Sequence, residues 1–260
     1  DQKDETLTLA KKEGVADIIT HAIDASFGSC DYIFLCAPVA ANAKNLTALK
    51  EYLSPHCLLT DVGSVKSGIH SHIEALGLSA QFIGGHPMAG SERFGYANSK
   101  AQLLENAYYI LTPTDKTPTK KLEAYKELVT SMGAIPLVLD AQQHDYVTAA
   151  VSHLPHLIAA SLVRLVKDSD SKDSIMKRIA AGGFKDITSI ASSSPGMWQQ
   201  ICLSNSGNIL CLLDNYIQEL TAIRNGLEEK DGVWLQRFFQ EAQEYRDSFL
   251  EASSGPIKSA

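Results

Sequence analysis

The sequence has no excess of basic residues and no long apolar run, and these two absences exclude several kinds of partner. Its formal net charge is −7 and its pI is about 5.6, which argues against nucleic acid or an anionic membrane as the main partner. No apolar run approaches the roughly 20 residues needed to span a bilayer. The charged N-terminus, DQKDETLTLAKK, is unlike a secretory signal. We therefore expect a soluble, cytoplasmic protein.

Cysteine is scarce, and its spacing excludes the usual thiol sites. There are five cysteines, an odd number, with no CxxC pair, and no HExxH motif occurs. They stand in apolar surroundings such as FLCAP and NILCLL, so we expect buried free thiols rather than disulfides or a metal site. The five are Cys30, Cys36, Cys57, Cys202 and Cys211.

A glycine-rich phosphate loop is also missing, because GxGxxG occurs nowhere in the 260 residues. Dinucleotide enzymes of the α/β class ordinarily open with a strand, such a loop and a helix, since glycines let the backbone approach the pyrophosphate at the helix N-terminus. The chain begins as if its first βαβ unit had been removed. The residue that would distinguish NAD from NADP is therefore not identifiable in the sequence.

The first half of the chain does contain an alternation of apolar runs with helical segments. Helical composition is found at residues 5–13, 41–53 and 122–132. Strands are predicted in the runs that begin DYIFLCAPV, CLLTD, QFIGGH, AYYILTP and AIPLVLD. Strands alternating with helices indicate an α/β fold with a mostly parallel, doubly wound sheet. We assign residues 1–140 to this nucleotide-binding domain, which is incomplete at its N-terminus.

The second half shows only helical periodicity. Apolar residues recur at helical spacing from Ala141 to about Val166, and Pro155 predicts a kink or a junction between two helices there. Further helices are expected at about 173–180, 196–225 and 230–250. We assign residues 141–250 to an all-helical domain and residues 251–260 to a solvated tail.

Three polar turns follow three successive predicted strands, namely Ala37–Val39, Asp61–Ser64 and Gly85–Pro87. The carboxyl ends of strands in an open α/β sheet face the ligand crevice, so we expect these turns to lie side by side. His86 is then placed to accept a proton from a small substrate, because the ordinary pKa of histidine lies near 6.5. The hydroxyl of Ser64 either contacts the imidazole and a ligand or caps the helix that follows it.

Two stretches of the helical half carry further polar residues. His153 and His156 lie three residues apart on one predicted helix face, which is metal-ligand spacing without a third ligand, so a packed or substrate-facing pair is expected. The stretch Gly182–Trp198 contains two glycines, Lys185 and a serine run. It offers either a cation and close backbone approach to a ligand, or only an interhelical loop.

Four segments together resemble one enzyme family, and they occur in its order and spacing from about residue 1 to 250. They are TDVGSVKSGI, GGHPMAGSE, AAVSHLPHLIAASL and AAGGFKDITSIASSSPGMW. The family is prephenate dehydrogenase, which oxidatively decarboxylates prephenate to 4-hydroxyphenylpyruvate with NAD(P)+ in tyrosine biosynthesis. The resemblance implies a Rossmann domain followed by a helical domain that forms a homodimer. It also implies that residue 1 lies just after the second Rossmann strand.

The resemblance gives each candidate site residue a role. His86 matches the catalytic histidine, which hydrogen-bonds the ring 4-hydroxyl of prephenate. Ser64 matches the serine that orients this histidine and the substrate near the nicotinamide. The positions implied to bind substrate are Ser91, Glu92, His153, His156, Gly182 and Lys185, with Asp186 beside them. The expected cofactor contacts, for NAD or NADP, are Ala37, Pro38, Asp61 and Ser64, and no metal is expected.

Ser189 departs from the family pattern. The family usually has D-x-T-R-I-A, whose arginine binds a substrate carboxylate, whereas this chain has Asp186 followed by ITSIA. A serine hydroxyl cannot supply a bidentate cation. Arg178, Lys185 and Arg93 are candidates to compensate, and the sequence does not choose between them.

Three other functions remain open from the sequence. Arogenate dehydrogenase differs only in a substrate that carries an amino group where prephenate has a keto group. A β-hydroxyacid dehydrogenase shares the Rossmann-plus-helices plan but is expected to use a lysine on the helical domain, which the HPMAGSE turn argues against. A non-catalytic dimeric binding or regulatory protein would explain the missing cofactor loop and Ser189.

Overall fold

The computed structural model describes residues 1–90 and 95–252 of the chain. Ser91 and Glu92, which are predicted to line the substrate pocket, lie outside the described residues. So do residues 253–260, which belong to the predicted tail.

The first of two compact units, Asp1–Ile209, contains the alternating strands and helices that the sequence predicts. Its strands are β1 (Tyr32–Leu35), β2 (Leu58–Asp61), β3 (Ile83–Pro87), β4 (Tyr108–Pro113) and β5 (Ile135–Val138). The helices among them are α1 (Asp4–Lys12), α2 (Val39–Leu49), α3 (Ser67–Ala75) and α4 (Thr119–Ser131). The predicted α/β architecture is therefore confirmed.

The sheet is parallel except at one pair of strands. Strands β1 and β2 pair in parallel, a single parallel bridge joins Leu59 of β2 to Phe82 beside β3, and β4 pairs in parallel with β5. Strand β3 runs antiparallel to β4. Two consecutive strands can pair in parallel only if a crossover connection, usually a helix, joins them. The described residues between β3 and β4 form only two short 3₁₀ turns, which is consistent with the antiparallel pairing.

Both faces of this sheet are buried. Leu59 and Phe82 belong to a cluster with α2 and α3, whereas their neighbours Leu58 and Ile83 belong to a cluster with α4, and all four are at most 3% exposed. Successive side chains of a strand point to opposite faces, so helices cover the sheet on both sides. Each of these side chains contributes about 1.5–3 kcal/mol by its burial. This is the doubly wound arrangement that the continuous apolar strands predict.

A continuous helical segment follows the sheet, and its junction is a π-helical turn. Helix α5 (Ala141–Thr148) passes through the π turn Ala149–His153 into α6 (Leu154–Ser169). Pro155 lies in the first turn of α6, where the missing N–H of proline is tolerated. The junction that the sequence predicts near Pro155 is therefore the π turn between α5 and α6. By length and composition alone the whole segment could span a membrane, and a core helix of a soluble protein passes the same test.

The rest of the chain is helical where it is described, apart from short connections. The remaining helices are α7 (Ile175–Ile179), α8 (Gly182–Thr188), α9 (Pro195–Ser204), α10 (Ser206–Glu228) and α11 (Gly232–Ala252). The alternative that Gly182–Trp198 is only an interhelical loop is wrong, because α8, a 3₁₀ turn and the start of α9 occupy it. The second compact unit, Leu210–Ala260, consists of most of α10 together with α11 in its described part.

The cysteines are free thiols, as expected, but their burial was predicted wrongly for two of them. Cys57 is buried, whereas Cys36 and Cys211 are exposed. Cys36 directly follows β1 at the open edge of the sheet, where an apolar strand no longer implies burial. Cys211 lies on α10, whose apolar residues are largely exposed in the described chain.

Candidate active site

His86 lies in β3, one residue before the strand ends, and two glycines allow the strand to occupy that place. A Cβ atom on Gly85 would come within 2.6 Å of the carbonyl oxygen of Asp61, and one on Gly84 would collide with the hydroxyl of Thr112. Only glycine therefore lets β3 lie this close to its neighbours. His86 is 9% exposed, so its ring is almost withdrawn from bulk solvent.

A chain of hydrogen bonds runs from a buried carboxylate to His86. Oδ1 of Asp145 lies 2.8 Å from Nδ1 of His144, and Nε2 of His144 lies 2.8 Å from Nδ1 of His86. His144 and Asp145 are adjacent in α5 and are 0% and 1% exposed. We call these three side chains the relay.

The direction of the relay follows from its carboxylate end. An ionised carboxylate only accepts hydrogen bonds, so Nδ1 of His144 donates to Asp145. In the tautomer with its single hydrogen on Nδ1, His144 presents the lone pair of Nε2 and accepts from Nδ1–H of His86. The remaining ring nitrogen of His86, Nε2, is left with a lone pair, which is what a general base requires.

Asp145 is held by the N-terminus of α3 as well as by His144. The backbone N–H of Lys66 donates to its Oδ1 at 2.7 Å, and that of Ser67 to its Oδ2 at 2.8 Å. Burial opposes the charged form, but the hydrogen bonds from His144, Ser67 and Lys66 lower the pKa of Asp145 below its ordinary value. The carboxylate therefore stays ionised at neutral pH.

Lys66 forms a buried ion pair behind β3. Its ammonium group contacts the carboxylate of Asp61 and donates to the carbonyl oxygen of Gly85 at 2.7 Å, with the side chain fully buried. Burial lowers the pKa of Lys66, against the opposing effect of Asp61. The lysine thus ties the end of β2 to the residue before His86.

The surroundings of His86 favour its neutral form. Burial first, and then the nearby His144, Lys66 and His153, hold the pKa of His86 well below 6.5, with Asp145 acting in the opposite direction. A neutral imidazole at physiological pH is available to accept a proton.

Ser64 lies in the bend after β2, and no hydrogen bond joins it to His86 in the described part of the chain. It is half-buried, and its hydroxyl has no hydrogen-bond partner among the described residues. The alternative prediction that Ser64 caps a helix is wrong. Helix α3 begins at Ser67, and the side chain of Asp145 accepts the N–H groups at the start of this helix. The hydroxyl is consequently free to contact a ligand.

The predicted cofactor residues lie at the carboxyl ends of β1 and β2. Ala37 is half-buried and Pro38 is exposed at the start of α2. Asp61 is 2% exposed, and its oxygens accept from the N–H groups of Gly63 and Gly85 at 2.9 and 3.2 Å as well as from Lys66. Its carboxylate is thus engaged within the protein.

A cavity of about 240 Å³ lies between α2 and α3 and includes Asp61 in its lining. Its walls are mostly apolar, but Asn42 also lines it and is 4% exposed. The side-chain amide donates weakly to the carbonyl oxygen of Leu35 at 3.4 Å, while Oδ1 has no partner in the described part of the chain. An unpartnered buried oxygen beside the strand ends fits a polar ligand group.

The helix histidines divide into a buried one and a stacked one. Nδ1 of His153 accepts from the side-chain amide of Asn205 at 3.1 Å, and its Nε2 has no partner among the described residues. His156 donates from Nδ1 to the carbonyl oxygen of Ser152 and stacks on Trp198, with ring centroids 3.6 Å apart. The indole N–H of Trp198 is also buried without a described partner. Two unpartnered N–H donors therefore lie near each other.

We expect the protein to lose stability as the pH falls, partly because of His153. Burial and the neighbouring histidines lower the pKa of His153 to about 4, whereas an unfolded histidine titrates near 6.5. At pH values between these two pKa values the unfolded chain binds a proton at His153 that the folded chain does not bind. The free energy of unfolding therefore falls as the pH falls, by up to about 3 kcal/mol at full protonation. Denaturant unfolding at pH values from about 7 to 4 measures this change.

The matched variants for this titration are His153→Gln and His56→Gln. The first removes the buried group and should flatten the pH dependence, and the second changes an exposed histidine and should keep the wild-type slope. Equal slopes for wild type and His153→Gln would contradict the assignment.

Lys185 and Gly182 lie exposed on α8, which packs against α6, the helix that carries His156. Ser189 follows α8 directly and is exposed, and its hydroxyl donates to the backbone carbonyl of Asp186. Lys185 and Ser189 are four residues apart, so they lie on one side of this helical stretch.

Several residues of the site were missed from the sequence. They are Lys66, His144, Asp145, Trp198 and Asn205. The only available signal was polar residues at the start of helices, as in GSVK and AQQHDY, and such residues usually face solvent. Their burial depends on tertiary contacts between segments up to 79 residues apart.

Comparison with known proteins agrees with the resemblance. The family profile described as "Prephenate dehydrogenase, nucleotide-binding domain" matches residues 1–137, and "Prephenate dehydrogenase, dimerization domain" matches residues 140–241. The chain is 39% identical over 259 residues to prephenate dehydrogenase of Bacillus subtilis (strain 168), covering 99% of this chain and 70% of that protein.

Two solved structures are similar over nearly the whole chain. Prephenate dehydrogenase from A. aeolicus, in complex with hydroxyphenyl propionate and NAD+, has a TM-score of 0.89 and 32% identity, covering 96% of this chain and 87% of that one. Synechocystis arogenate dehydrogenase has a TM-score of 0.84 and 27% identity, covering 95% and 89%.

Proposed function

The chain belongs to the prephenate dehydrogenase family, whose reaction is the oxidative decarboxylation of prephenate, and we propose that His86 is the base of that reaction. The observation that carries this proposal is the relay, which directs a lone pair on Nε2 of His86 away from the protein's own hydrogen bonds.

The proposed chemistry needs one base, orientation of the substrate and recognition of its carboxylates. A nicotinamide cofactor bound at the carboxyl ends of β1 and β2 would supply the acceptor for the hydride that leaves the ring carbon bearing the hydroxyl. Nε2 of His86 takes the hydroxyl proton as the carbonyl forms, and the low pKa of His86 ensures that this nitrogen is free beforehand. Carbon dioxide then leaves, the ring becomes aromatic, and His86 returns the proton to the phenolate oxygen.

The residues at the ends of β1 and β2 fit the cofactor. We propose that four residues lie next to the bound cofactor, namely Ala37, Pro38, Asp61 and Ser64. Asp61 would only line the site, because its carboxylate already accepts hydrogen bonds from Gly63 and Lys66. The unpartnered Oδ1 of Asn42 supports a polar ligand group at this edge of the sheet. The choice between NAD and NADP stays open.

The proposed substrate positions are arranged around the relay and the helix histidines. Ser91 and Glu92 remain predictions, since they lie outside the described residues. His153 and Trp198 each offer a buried N–H donor with no described partner, which suits an oxygen of the substrate side chain. His156 supports the indole by stacking, and Gly182 and Lys185 lie on the adjacent helix α8.

Replacing Lys185 with methionine is expected to raise the KM for prephenate by at least about tenfold, with kcat nearly unchanged. The reason is that Lys185 is the cation nearest along α8 to Ser189, where the family usually has a carboxylate-binding arginine. Initial-rate kinetics with varied prephenate at saturating cofactor measure this split.

Arg178→Met is the matched control, because Arg178 is an exposed cation on the neighbouring α7. We expect it to leave the KM within about twofold of the wild type. Adding Ser189→Arg to Lys185→Met should restore binding, since an arginine can pair with a carboxylate in a bidentate manner. If Arg178→Met raised the KM and Lys185→Met did not, the compensating cation would be Arg178.

We propose a homodimer formed through the helical domain, residues 141–250, after a nucleotide-binding domain of residues 1–140 and before a tail of residues 251–260. A dimerization-domain profile matches much of the helical part. Apolar side chains on α10 and α11 that are about half or more exposed support such an interface, namely Ile217, Leu220, Leu227, Val233, Phe239 and Tyr245. We also propose that the protein acts in the cytoplasm, without nucleic acid or membrane partners.

Substrate choice is tested by kcat/KM for prephenate and for arogenate with NAD+ and with NADP+. We expect prephenate to be preferred, in line with the similarity to prephenate dehydrogenase of Bacillus subtilis. A higher value for arogenate would establish the arogenate dehydrogenase alternative, which the Synechocystis structure supports. No turnover of either substrate together with cofactor binding would favour the binding-protein alternative.

A further inference from the structure

The hydrogen-bond partner of the His86 ring in the structure is His144 of α5, 58 residues further along the chain. We infer that His144 is a positioning residue that keeps the hydrogen of His86 on Nδ1 and the lone pair on Nε2. This inference rests on the proposed role of His86 as the base.

Of the two neutral tautomers of His144, only the one with its hydrogen on Nδ1 is compatible with the carboxylate of Asp145. Both oxygens of Asp145 accept backbone N–H groups from the start of α3, and Oδ1 also faces Nδ1 of His144 at 2.8 Å. Reversing the His144 tautomer would set its lone pair against the carboxylate. It would also turn its N–H toward Nδ1 of His86 and move the hydrogen of His86 to Nε2, where it would block proton transfer from substrate.

Other hydrogen bonds fix the backbone that carries His144. Thr148 donates to the carbonyl oxygen of His144 at 2.9 Å, and Asn205 donates to that of Asp145 at 2.7 Å. His144 has no exposed surface, so water does not compete for its ring nitrogens. A rigid, dry partner can therefore select one tautomer of His86, as the aspartate of a Ser-His-Asp triad does for its histidine.

Two substitutions separate this role from simple packing. His144→Phe keeps a ring of similar shape but removes the acceptor, and we expect kcat to fall about 10- to 100-fold with the KM for prephenate within about threefold. His144→Gln places an amide oxygen where Nε2 lay, so His86 keeps its acceptor and kcat should stay within about fivefold of the wild type. A loss that was equal in both variants would overturn the inference.

The tautomer can be read without turnover from ¹⁵N–¹H correlation spectra of the protein labelled at histidine nitrogens. The His86 signals are identified by their loss in His86→Asn. We expect the pattern of a neutral ring with hydrogen on Nδ1 in the wild type and in His144→Gln, and a shift toward hydrogen on Nε2 in His144→Phe. A wild-type ring with its hydrogen on Nε2 would overturn the inference, even if His144→Phe did not fold.

These readouts also distinguish the inference from the proposed function. Suppose that the protein does not oxidise prephenate, but that His86 has its hydrogen on Nδ1 in the wild type and in His144→Gln and not in His144→Phe. The inference about orientation would then hold, and the proposed function would be wrong. Suppose instead that His144→Phe oxidises prephenate as fast as the wild type and that its His86 tautomer is unchanged. The proposed function would then hold, and the inference would be wrong.

Discussion

Asparagine in place of His86 is expected to lower the turnover of prephenate by about 10²- to 10⁴-fold, which is the usual contribution of a general base, while substrate binding stays largely intact. The amide N–H of asparagine can replace Nδ1–H as the donor to His144, so the relay keeps its last hydrogen bond. No atom of asparagine reaches the position of Nε2. Measuring kcat at saturating cofactor, together with the KM for prephenate, separates the lost base from lost binding.

The control for this substitution is His56→Asn, which changes a histidine whose side chain is 66% exposed. It should have wild-type kinetics. Thermal unfolding of His86→Asn should show a folded protein, because the substitution changes the side-chain volume little and lies near the end of β3. A turnover within a few-fold of the wild type would remove His86 from the role of base.

Methionine in place of Lys66 is expected to lower the free energy of unfolding by about 3–5 kcal/mol. The substitution leaves the carboxylate of Asp61 buried without its cation, and the N–H groups of Gly63 and Gly85 are then its only donors among the described residues. It also removes the hydrogen bond from Lys66 to the carbonyl oxygen of Gly85. Urea unfolding followed by circular dichroism measures the loss. Because Gly85 precedes His86, turnover should fall as well.

Two further variants make the measurement specific to the buried pair. Adding Asp61→Asn to Lys66→Met removes the unpaired charge and should recover part of the lost stability. Lys126→Met breaks the surface pair with Glu123, whose atoms are 2.9 Å apart, and should cost at most about 1 kcal/mol. If Lys66→Met cost no more than Lys126→Met, the buried pair would not stabilise the fold as proposed.

The fold was largely predictable because hydrophobic periodicity changes at one point in the chain. The apolar run at β2 is buried along its whole length, β1 and β4 each have one exposed side chain among buried ones, and no strand is described after β5. The antiparallel pairing of β3 with β4 was not predicted; the described residues between these strands contain no crossover helix, which the apolar pattern does not reveal. The π turn before Pro155 was predicted only as a junction, because register within a helix is not visible in apolar spacing.

Site residues could be predicted where one short segment contains them. Those that come together from distant segments could not. His86 follows two glycines in an apolar run, so its position at the carboxyl end of a strand could be anticipated. His144 and Asp145 look like surface residues at the start of a helix, and only the packing of α5 against α3 and β3 makes them a relay. Ser64 was expected to orient His86, whereas in the structure His144 contacts its ring.

The most direct measurement is the formation of NADH or NADPH when the purified protein is given prephenate with NAD+ or with NADP+, with 4-hydroxyphenylpyruvate quantified in the same samples. Oxidation by the proposed route predicts reduced cofactor and 4-hydroxyphenylpyruvate in equal amounts, with both lost together in His86→Asn. Binding of cofactor and prephenate without formation of either product would contradict it.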